Sequence, residues 1–145
     1  MLLKKKMMKS KFISYYMGIA QLTAQLSTAN KLKVGAIAVK NGRIISEGYN
    51  GTTAGSSNQC EDENGMTFPY VIHAEGNLIA KLAKCTESSE GAVIFLTHSP
   101  CLQCSKLIQG AGISTIYYKT DYRSDEGINF LKENSIEVIK VNDYE

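Results

Sequence analysis

The sequence lacks the long apolar run that a membrane protein would show. No stretch approaches the ~20 consecutive apolar residues that a transmembrane helix needs, so we expect no membrane partner. The basic N-terminus is not followed by the apolar stretch and cleavage site of a secretory signal. We therefore expect residues 1–10 to form a flexible tail and the protein to be cytoplasmic. Internal repeats and low-complexity linkers are also lacking, and 145 residues fit one domain covering 1–145.

A strong excess of either charge is lacking as well. The 16 Lys and Arg residues against 14 Asp and Glu residues give a formal net charge of +2. A dedicated nucleic-acid-binding domain usually concentrates far more basic residues on one face, so we expect no nucleic-acid partner. Histidine occurs only as His73 and His98. In the cytoplasm, the four cysteines are better explained as thiols or metal ligands than as disulfides.

The order of the hydrophobic patterns predicts an α/β fold. Helices are predicted over 12–29, 73–84, 101–109 and 124–133. Strands are predicted over 34–39, 43–49, 92–97, 115–118 and 136–139. The first helix is predicted to be amphipathic, because its apolar face is formed at helical spacing by Phe12, Tyr16, Ile19, Ala20, Leu22 and Leu26. A hairpin turning at Asn41-Gly42, followed by alternating units, predicts a three-layer α/β/α fold, with a mixed five-stranded sheet and helices on both faces.

Two short motifs at predicted helix starts indicate a metal site. His73-Ala74-Glu75 begins the second helix, and Pro100-Cys101-Leu102-Gln103-Cys104 begins the third. Catalytic zinc takes three Cys, His or carboxylate ligands and keeps one position open for water, and His73, Cys101 and Cys104 supply such a set. Residues 101 and 104 lie one helical turn apart, so both sulfurs share a face at a helix N-terminus, where thiolates are favoured.

Glu75 distinguishes a catalytic site from a structural one. It lies two positions after His73 and can point towards the open coordination position without being a ligand. There it can take a proton from zinc-activated water and pass it on to the substrate. His-x-Glu together with Pro-Cys-x-x-Cys is the known signature of zinc deaminases, and both halves are present.

Other interpretations of these motifs stay open. Cys101 and Cys104 alone could form a redox pair. A structural zinc needs a fourth ligand, for which Cys60, Cys85 and His98 are available. A non-catalytic zinc or nucleotide-binding regulator would hold the metal without releasing ammonia from any nucleotide.

Further motifs in the first half resemble one family. They are Ser27-Thr28, Lys33–Val39, Gly42–Ile45 and Gly48–Thr52, together with His73-Ala74-Glu75-x-Asn77 and Ser99–Cys104. Over about residues 12–140 the chain resembles the deoxycytidylate (dCMP) deaminases of the zinc-dependent cytidine/deoxycytidylate deaminase superfamily, in their compact viral or bacterial form. The zinc motifs are shared across the superfamily, whereas Gly48-Tyr49-Asn50-Gly51 is more specific to the deoxycytidylate branch.

The resemblance implies a cytidine-deaminase-like fold and a hydrolase acting on the C–N bond of a cyclic amidine. Water activated by Zn(2+) would attack C4 of cytosine, with Glu75 as proton shuttle. The products of dCMP would be ammonia and dUMP, which supplies dTTP synthesis. Free cytidine, a deoxycytidine triphosphate and adenosine in tRNA remain alternative substrates within the superfamily, although the low net charge argues against tRNA.

The resemblance also implies nucleotide contacts. Asn50 is expected near the deoxyribose and the ring pocket, although it could simply be a turn residue. The residues that flank the zinc ligands, Ala74, Ser99 and Pro100, are further candidate substrate contacts. Tyr122-Arg123 is the candidate phosphate site because Arg binds phosphate in a bidentate manner, unless Arg123 is only an exposed loop residue.

Relatives of this branch are often hexamers, activated by dCTP with Mg(2+) and inhibited by dTTP. The resemblance therefore implies a homo-hexamer with an effector site. Its candidate residues are Gly48, Tyr49, Gly51, Lys81 and Lys84, of which the lysines could instead form a solvated helix face. Some relatives hold a second, structural zinc, which we do not expect here because the chain has only two histidines.

Overall fold

A computed structural model describes residues 7–142 of the chain. Its strands are β1 (Gly35–Lys40), β2 (Arg43–Tyr49), β3 (Val93–His98), β4 (Thr115–Thr120) and β5 (Glu137–Lys140). Its helices are α1 (Ser10–Ala24), α2 (Ala74–Leu82), α3 (Leu102–Gly110) and α4 (Glu126–Glu133). The predicted elements are all present, and their ends agree within two residues except at the end of α1.

The strands form one mixed sheet in the order β2-β1-β3-β4-β5. β1 is antiparallel to both β2 and β3, while β3, β4 and β5 are parallel to one another. The β1–β2 hairpin turns through Asn41 and Gly42, whose φ angles of 52° and 73° lie in the left-handed region that such turns require.

Successive residues of β1 point to opposite faces of the sheet and so separate two cores. Ala36 and Ala38 pack with α2, α3 and α4 on one face. Ile37 and Val39 pack with α1 and Phe95 on the other. This arrangement confirms the predicted three-layer α/β/α fold.

The prediction for the buried face of α1 was partly wrong. Phe12, Leu22 and Leu26 are 43%, 71% and 58% exposed. The buried residues are Ile13, Tyr16, Met17, Ala20, Thr23 and Ala24. The cause is the close approach of α1 to Gly35, where a Cβ atom would collide with the backbone of Ala20 and Ala24. The C-terminal half of the helix must therefore turn Ala20 and Ala24 to the sheet, which leaves Leu22 outside.

Helix α1 also ends five residues earlier than predicted, at Ala24. The hydroxyl of Ser27 donates to the carbonyl of Asn50 at 2.7 Å and accepts from the N–H of Ala29 at 3.2 Å. These bonds satisfy backbone groups in a way that a continuing helix would not, so the chain after Ala24 turns away from the helix axis towards the sheet.

The predicted N-terminal tail is described only from Met7 onward, and residues 1–6 of that prediction lie outside the described residues. Met8 packs against the α1 side of the core, and α1 begins at Ser10. Within 7–142, none of the helices has the length and apolar character that crossing a membrane requires.

Candidate active site

Three potential metal ligands meet between two helix N-termini. His73 is the N-cap residue of α2 and Cys101 is that of α3. Nδ1 of His73 lies 3.5 Å from Sγ of Cys101 and 3.4 Å from Sγ of Cys104. Tetrahedral zinc with ordinary Zn–N and Zn–S bond lengths requires N···S separations of about 3.5 Å, so the three atoms fit that ion.

Hydrogen bonds among these ligands shift their pKa values in different directions. Hydrogen bonds, from the Cys104 thiol first and the His73 imidazole second, lower the pKa of Cys101 to about 3. The same Cys101 sulfur and burial raise the pKa of Cys104. The pair therefore holds one thiolate and one thiol, and a divalent cation would displace the remaining proton.

Glu75 is buried beside this cluster. Its side chain lies in the first turn of α2 and is only 4% exposed. Burial raises the pKa of its carboxyl group. A carboxyl whose pKa is raised by burial takes up a proton more readily than an ordinary one, so Glu75 is suited to accept and return a proton as general acid–base catalysis requires.

A cavity of about 600 Å³ opens onto the cluster. His73, Glu75 and Cys101 line it. Five candidate substrate contacts also line it: Asn50, Ala74, Ser99, Tyr122 and Arg123. Pro100 does not line it and is instead fully buried next to Gly127 of α4. The volume is ample for a nucleotide, since ligand pockets commonly measure ~300–1,000 Å³.

Comparison with known proteins identifies the family. Residues 10–120 match the family model described as the cytidine and deoxycytidylate deaminase zinc-binding region. The chain belongs to the cytidine and deoxycytidylate deaminase family.

Individual members of this family are similar over much of the chain. The structure of the dCMP deaminase from cyanophage S-TIM5 in complex with dCMP and dUMP is 46% identical, with a TM-score of 0.91, and the match covers 93% of this chain and 100% of that one. The deoxycytidylate deaminase of Mycobacterium phage D29 is 34% identical over 72% of this chain and 91% of its own. The ComE operon protein 2 of Bacillus subtilis is 42% identical over 76% of this chain, which spans only 60% of that longer protein.

The cavity of about 600 Å³, here called the deaminase cavity, extends from the metal-ligand cluster to the loop that carries Tyr122 and Arg123. The hydroxyl of Ser99, just before the Pro100-Cys101 turn, accepts from the backbone N–H of Tyr122 at 2.7 Å. The Arg123 guanidinium lies 5.5 Å from the centre of the Tyr122 ring. Ser99 therefore fixes the Tyr122-Arg123 loop relative to the metal ligands.

Asn50 lines the deaminase cavity and is also hydrogen-bonded to two neighbouring residues that line it. Its Oδ1 accepts from the N–H of Val34 at 2.8 Å, and its Nδ2 donates to the carbonyl of Leu32 at 2.8 Å. The side chain thus shapes the cavity, whether or not it also contacts a ligand.

Sequence reasoning missed several residues that line the deaminase cavity, namely Lys31, Leu32, Glu61, Met66, Thr67, Val71 and His98. Most of them lie in irregular segments without any motif. His98 is the exception, because it is the last residue of strand β3. The Thr97 hydroxyl accepts from Gly35 N–H at 3.1 Å and is hydrogen-bonded to Nδ1 of His98 at 2.9 Å. Burial lowers the pKa of His98, which favours its neutral form at the edge of the cavity.

A fourth metal ligand is not found in the described part of the chain. His73, Cys101 and Cys104 form the one group of metal-ligating side chains there. Cys60, Cys85 and His98, the candidate fourth ligands, lie outside it. A three-ligand set leaves a coordination position open, as catalytic zinc requires.

The candidate effector residues lie in three different places. Tyr49, Gly51 and Lys81 line a second cavity of about 310 Å³, where Lys81 Nζ lies 5.8 Å from the centre of the Tyr49 ring. Lys84 is exposed and does not line it. Gly48 is buried under α2, where a Cβ atom would collide with the backbone of Ala74 and Leu78.

Proposed function

We propose that this protein hydrolyses dCMP to dUMP and ammonia, and so supplies dUMP for dTTP synthesis. The observation that carries the proposal is the His73, Cys101 and Cys104 cluster beside buried Glu75 at a nucleotide-sized cavity. The likeness to a cyanophage dCMP deaminase bound to dCMP and dUMP supports the choice of substrate.

The chain's own residues divide the chemistry between holding the metal and moving protons. Zinc held by His73, Cys101 and Cys104 supplies a Lewis acid that makes water nucleophilic near neutral pH. Glu75 accepts a proton from the attacking water and gives it to N3 of the cytosine ring. It then takes the second proton of that oxygen and gives it to the amino group at C4. The C4–N bond breaks, ammonia leaves, and the carbonyl of dUMP remains.

The cations at the cavity favour a nucleoside monophosphate over a nucleoside. Lys31 and Arg123 are the Lys and Arg residues that line it. A phosphate gains strongly from bidentate contact with a guanidinium group. We place the phosphate beside Arg123, with Lys31 as a second cation, and the base towards Glu75.

The test is ammonia release by the purified zinc-loaded protein from dCMP, deoxycytidine, dCTP and a tRNA anticodon stem-loop. We expect dCMP to have the highest kcat/KM. We also expect Glu75→Gln to lower kcat by a factor of about 10² or more, with the zinc content unchanged. Near-full activity of Glu75→Gln, or a higher kcat/KM on another substrate, would contradict the proposal.

Regulation by nucleotide triphosphates belongs to the same proposal. We place dCTP, with Mg(2+), or dTTP in the second cavity, because Lys81 provides a cation there and Tyr49 an aromatic ring. The dCMP assay is repeated with each triphosphate and magnesium. Lys81→Ala should abolish the responses, whereas the matched exposed variant Lys84→Ala should keep them.

We also propose a homo-oligomer, a hexamer as in relatives, in a cytoplasmic setting. The exposed apolar side chains of α1, Phe12, Tyr15 and Leu22, support association. None of the four cysteines is paired in a disulfide, which suits a reducing compartment. Light scattering on the purified protein measures the assembly, and a monomer at micromolar concentration would contradict it.

A further inference from the structure

One wall of the deaminase cavity is formed by an irregular segment and not by a helix or a strand. Residues 27–34, here called the wall segment, connect α1 to β1. Four of its residues line the cavity: Ala29, Lys31, Leu32 and Val34. Because backbone N–H groups in such a place cannot bond within a helix or sheet, the wall segment depends on partners elsewhere for its shape.

Two side chains from the following loop supply these partners. Asn50 binds the Leu32 and Val34 end of the wall segment, as described above. Glu61 binds the other end. A single carboxylate oxygen, Oε1, accepts from the N–H of Asn30 at 2.8 Å and from the N–H of Lys31 at 3.1 Å.

Glu61 is itself held in place. Its side chain is buried, with 7% exposed. Its carbonyl accepts from Nε2 of Gln59 at 3.0 Å, and it forms a β-bridge with Thr67. The turn between them is closed by Asp62, whose carboxylate accepts from the N–H groups of Asn64 and Met66 at 2.9 Å each. Glu61 therefore joins a well-ordered turn to the wall segment across one side of the cavity.

The charge of Glu61 needs an explanation. A carboxylate lines a cavity that also carries Lys31 and Arg123, and that we propose binds a phosphate. A negative charge there opposes an anionic ligand. It is compatible with binding because Oε1 accepts from two N–H groups, whose positive ends offset part of its charge.

We propose that Glu61 is a positioning residue for nucleotide binding. It holds the backbone at Asn30 and Lys31, and so sets the place of Lys31 and the width of the cavity. Its role depends on how far its carboxylate oxygen extends from its own backbone towards these two N–H groups, and not on its charge. The kinetic form of this inference rests on the proposed dCMP deaminase function.

Two substitutions test the length of the Glu61 side chain and its charge separately. Glu61→Asp keeps the charge but withdraws the carboxylate by one methylene group, so both N–H bonds are lost. Glu61→Gln removes the charge but keeps an acceptor oxygen at the same distance. We expect Glu61→Asp to raise the KM for dCMP about tenfold with kcat within about twofold, and Glu61→Gln to restore the KM to within about threefold of wild type.

Glu63→Ala is the matched control, because Glu63 is an exposed carboxylate in the same turn. It should leave KM and kcat unchanged. An unchanged KM in Glu61→Asp would overturn the proposal. So would a KM that rises more in Glu61→Gln than in Glu61→Asp, since the charge would then be what matters. A fall in kcat with unchanged KM would also overturn it, because damage to the fold or to the metal site would explain that result.

Hydrogen exchange of the Asn30 and Lys31 amides tests the same contact without any substrate. We expect faster exchange of both amides in Glu61→Asp and wild-type exchange in Glu61→Gln. If the wild-type protein released no ammonia from dCMP, the proposed function would fail while this measurement still decided the role of Glu61. Equal exchange in all variants would overturn the positioning role.

Discussion

Glu75 is an ionisable residue whose side chain is almost completely buried. It is 4% exposed, and burial raises the pKa of its carboxyl. A raised carboxyl pKa means that the native state holds the proton more firmly than the unfolded state does. The free energy of unfolding therefore falls as the pH rises from the ordinary carboxyl range through the raised pKa. Catalytic use of Glu75 thus costs stability at neutral pH.

We expect Glu75→Gln to raise the Tm of the metal-free protein at pH 7, because the amide has no charge to bury. The gain should shrink as the pH is lowered and vanish well below the ordinary Glu pKa of about 4.3, where the wild-type carboxyl is protonated in both states. Thermal unfolding of both proteins across this range, after chelation, measures the effect. Equal Tm values at neutral pH would show that burial of the Glu75 carboxyl does not lower the stability of the protein.

The residues predicted from the sequence are those whose chemistry requires fixed spacing. His73, Glu75, Cys101 and Cys104 could be found because zinc needs a defined ligand set and a helical turn fixes the spacing of the sulfurs. Glu61 gave no such signal. Its partners are backbone N–H groups about thirty positions earlier, and any residue type can provide those.

At the scale of elements, glycines set how closely helices approach their neighbours. A Cβ atom on Gly127 of α4 would collide with the carbonyl of Pro100, and would lie 2.6 Å from Oγ of Ser105 and 2.9 Å from C of Cys101. Helix α4 therefore packs directly on the turn that carries the metal-ligating cysteines. By contrast, a Cβ atom on Gly18 of α1 would meet nothing within 4 Å.

These two helical glycines form a matched pair. We expect Gly127→Ala to destabilise the protein by about 2 kcal/mol through overpacking, and to weaken zinc binding by displacing Cys101. Gly18→Ala should instead stabilise it by about 0.5–1 kcal/mol, because alanine favours the helix. Denaturant unfolding and zinc titration measure both effects. A Gly127→Ala protein as stable as Gly18→Ala would contradict the packing argument.

The elements themselves followed from periodicity and turn residues, but the orientation of α1 did not. Hydrophobicity alone favoured burial of Phe12, Leu22 and Leu26. The helix instead presents Ala20 and Ala24 to Gly35, because backbone contact there leaves no room for larger side chains. A pattern within one element cannot show how close its neighbour lies.

At the scale of the whole molecule, the metal ligands connect separate parts of the chain. His73 belongs to α2, which packs on the hairpin side, and Cys101 and Cys104 belong to α3 after β3. An ion bound to all three cross-links these parts in the native state and has no preformed site in the unfolded chain.

Removal of zinc should therefore lower the Tm. At free zinc a thousandfold above its Kd, the linkage contributes about 4 kcal/mol to stability. Calorimetry with and without a chelator measures the shift. His73→Ala should show a much smaller response to the chelator, and an equal response in both proteins would mean that the stabilising ion binds elsewhere.

The strand order also has a kinetic consequence. The β1–β2 hairpin closes locally, and such hairpins form within microseconds. The pairing of β1 with β3 places Ala36 opposite Leu96 and encloses the whole hairpin, the long loop and α2. Contacts between residues so distant in sequence are slow to form. Since Cys101 and Cys104 follow β3, high-affinity zinc uptake during refolding should trail hairpin formation, and metal binding would report a step at or after the pairing of β1 with β3.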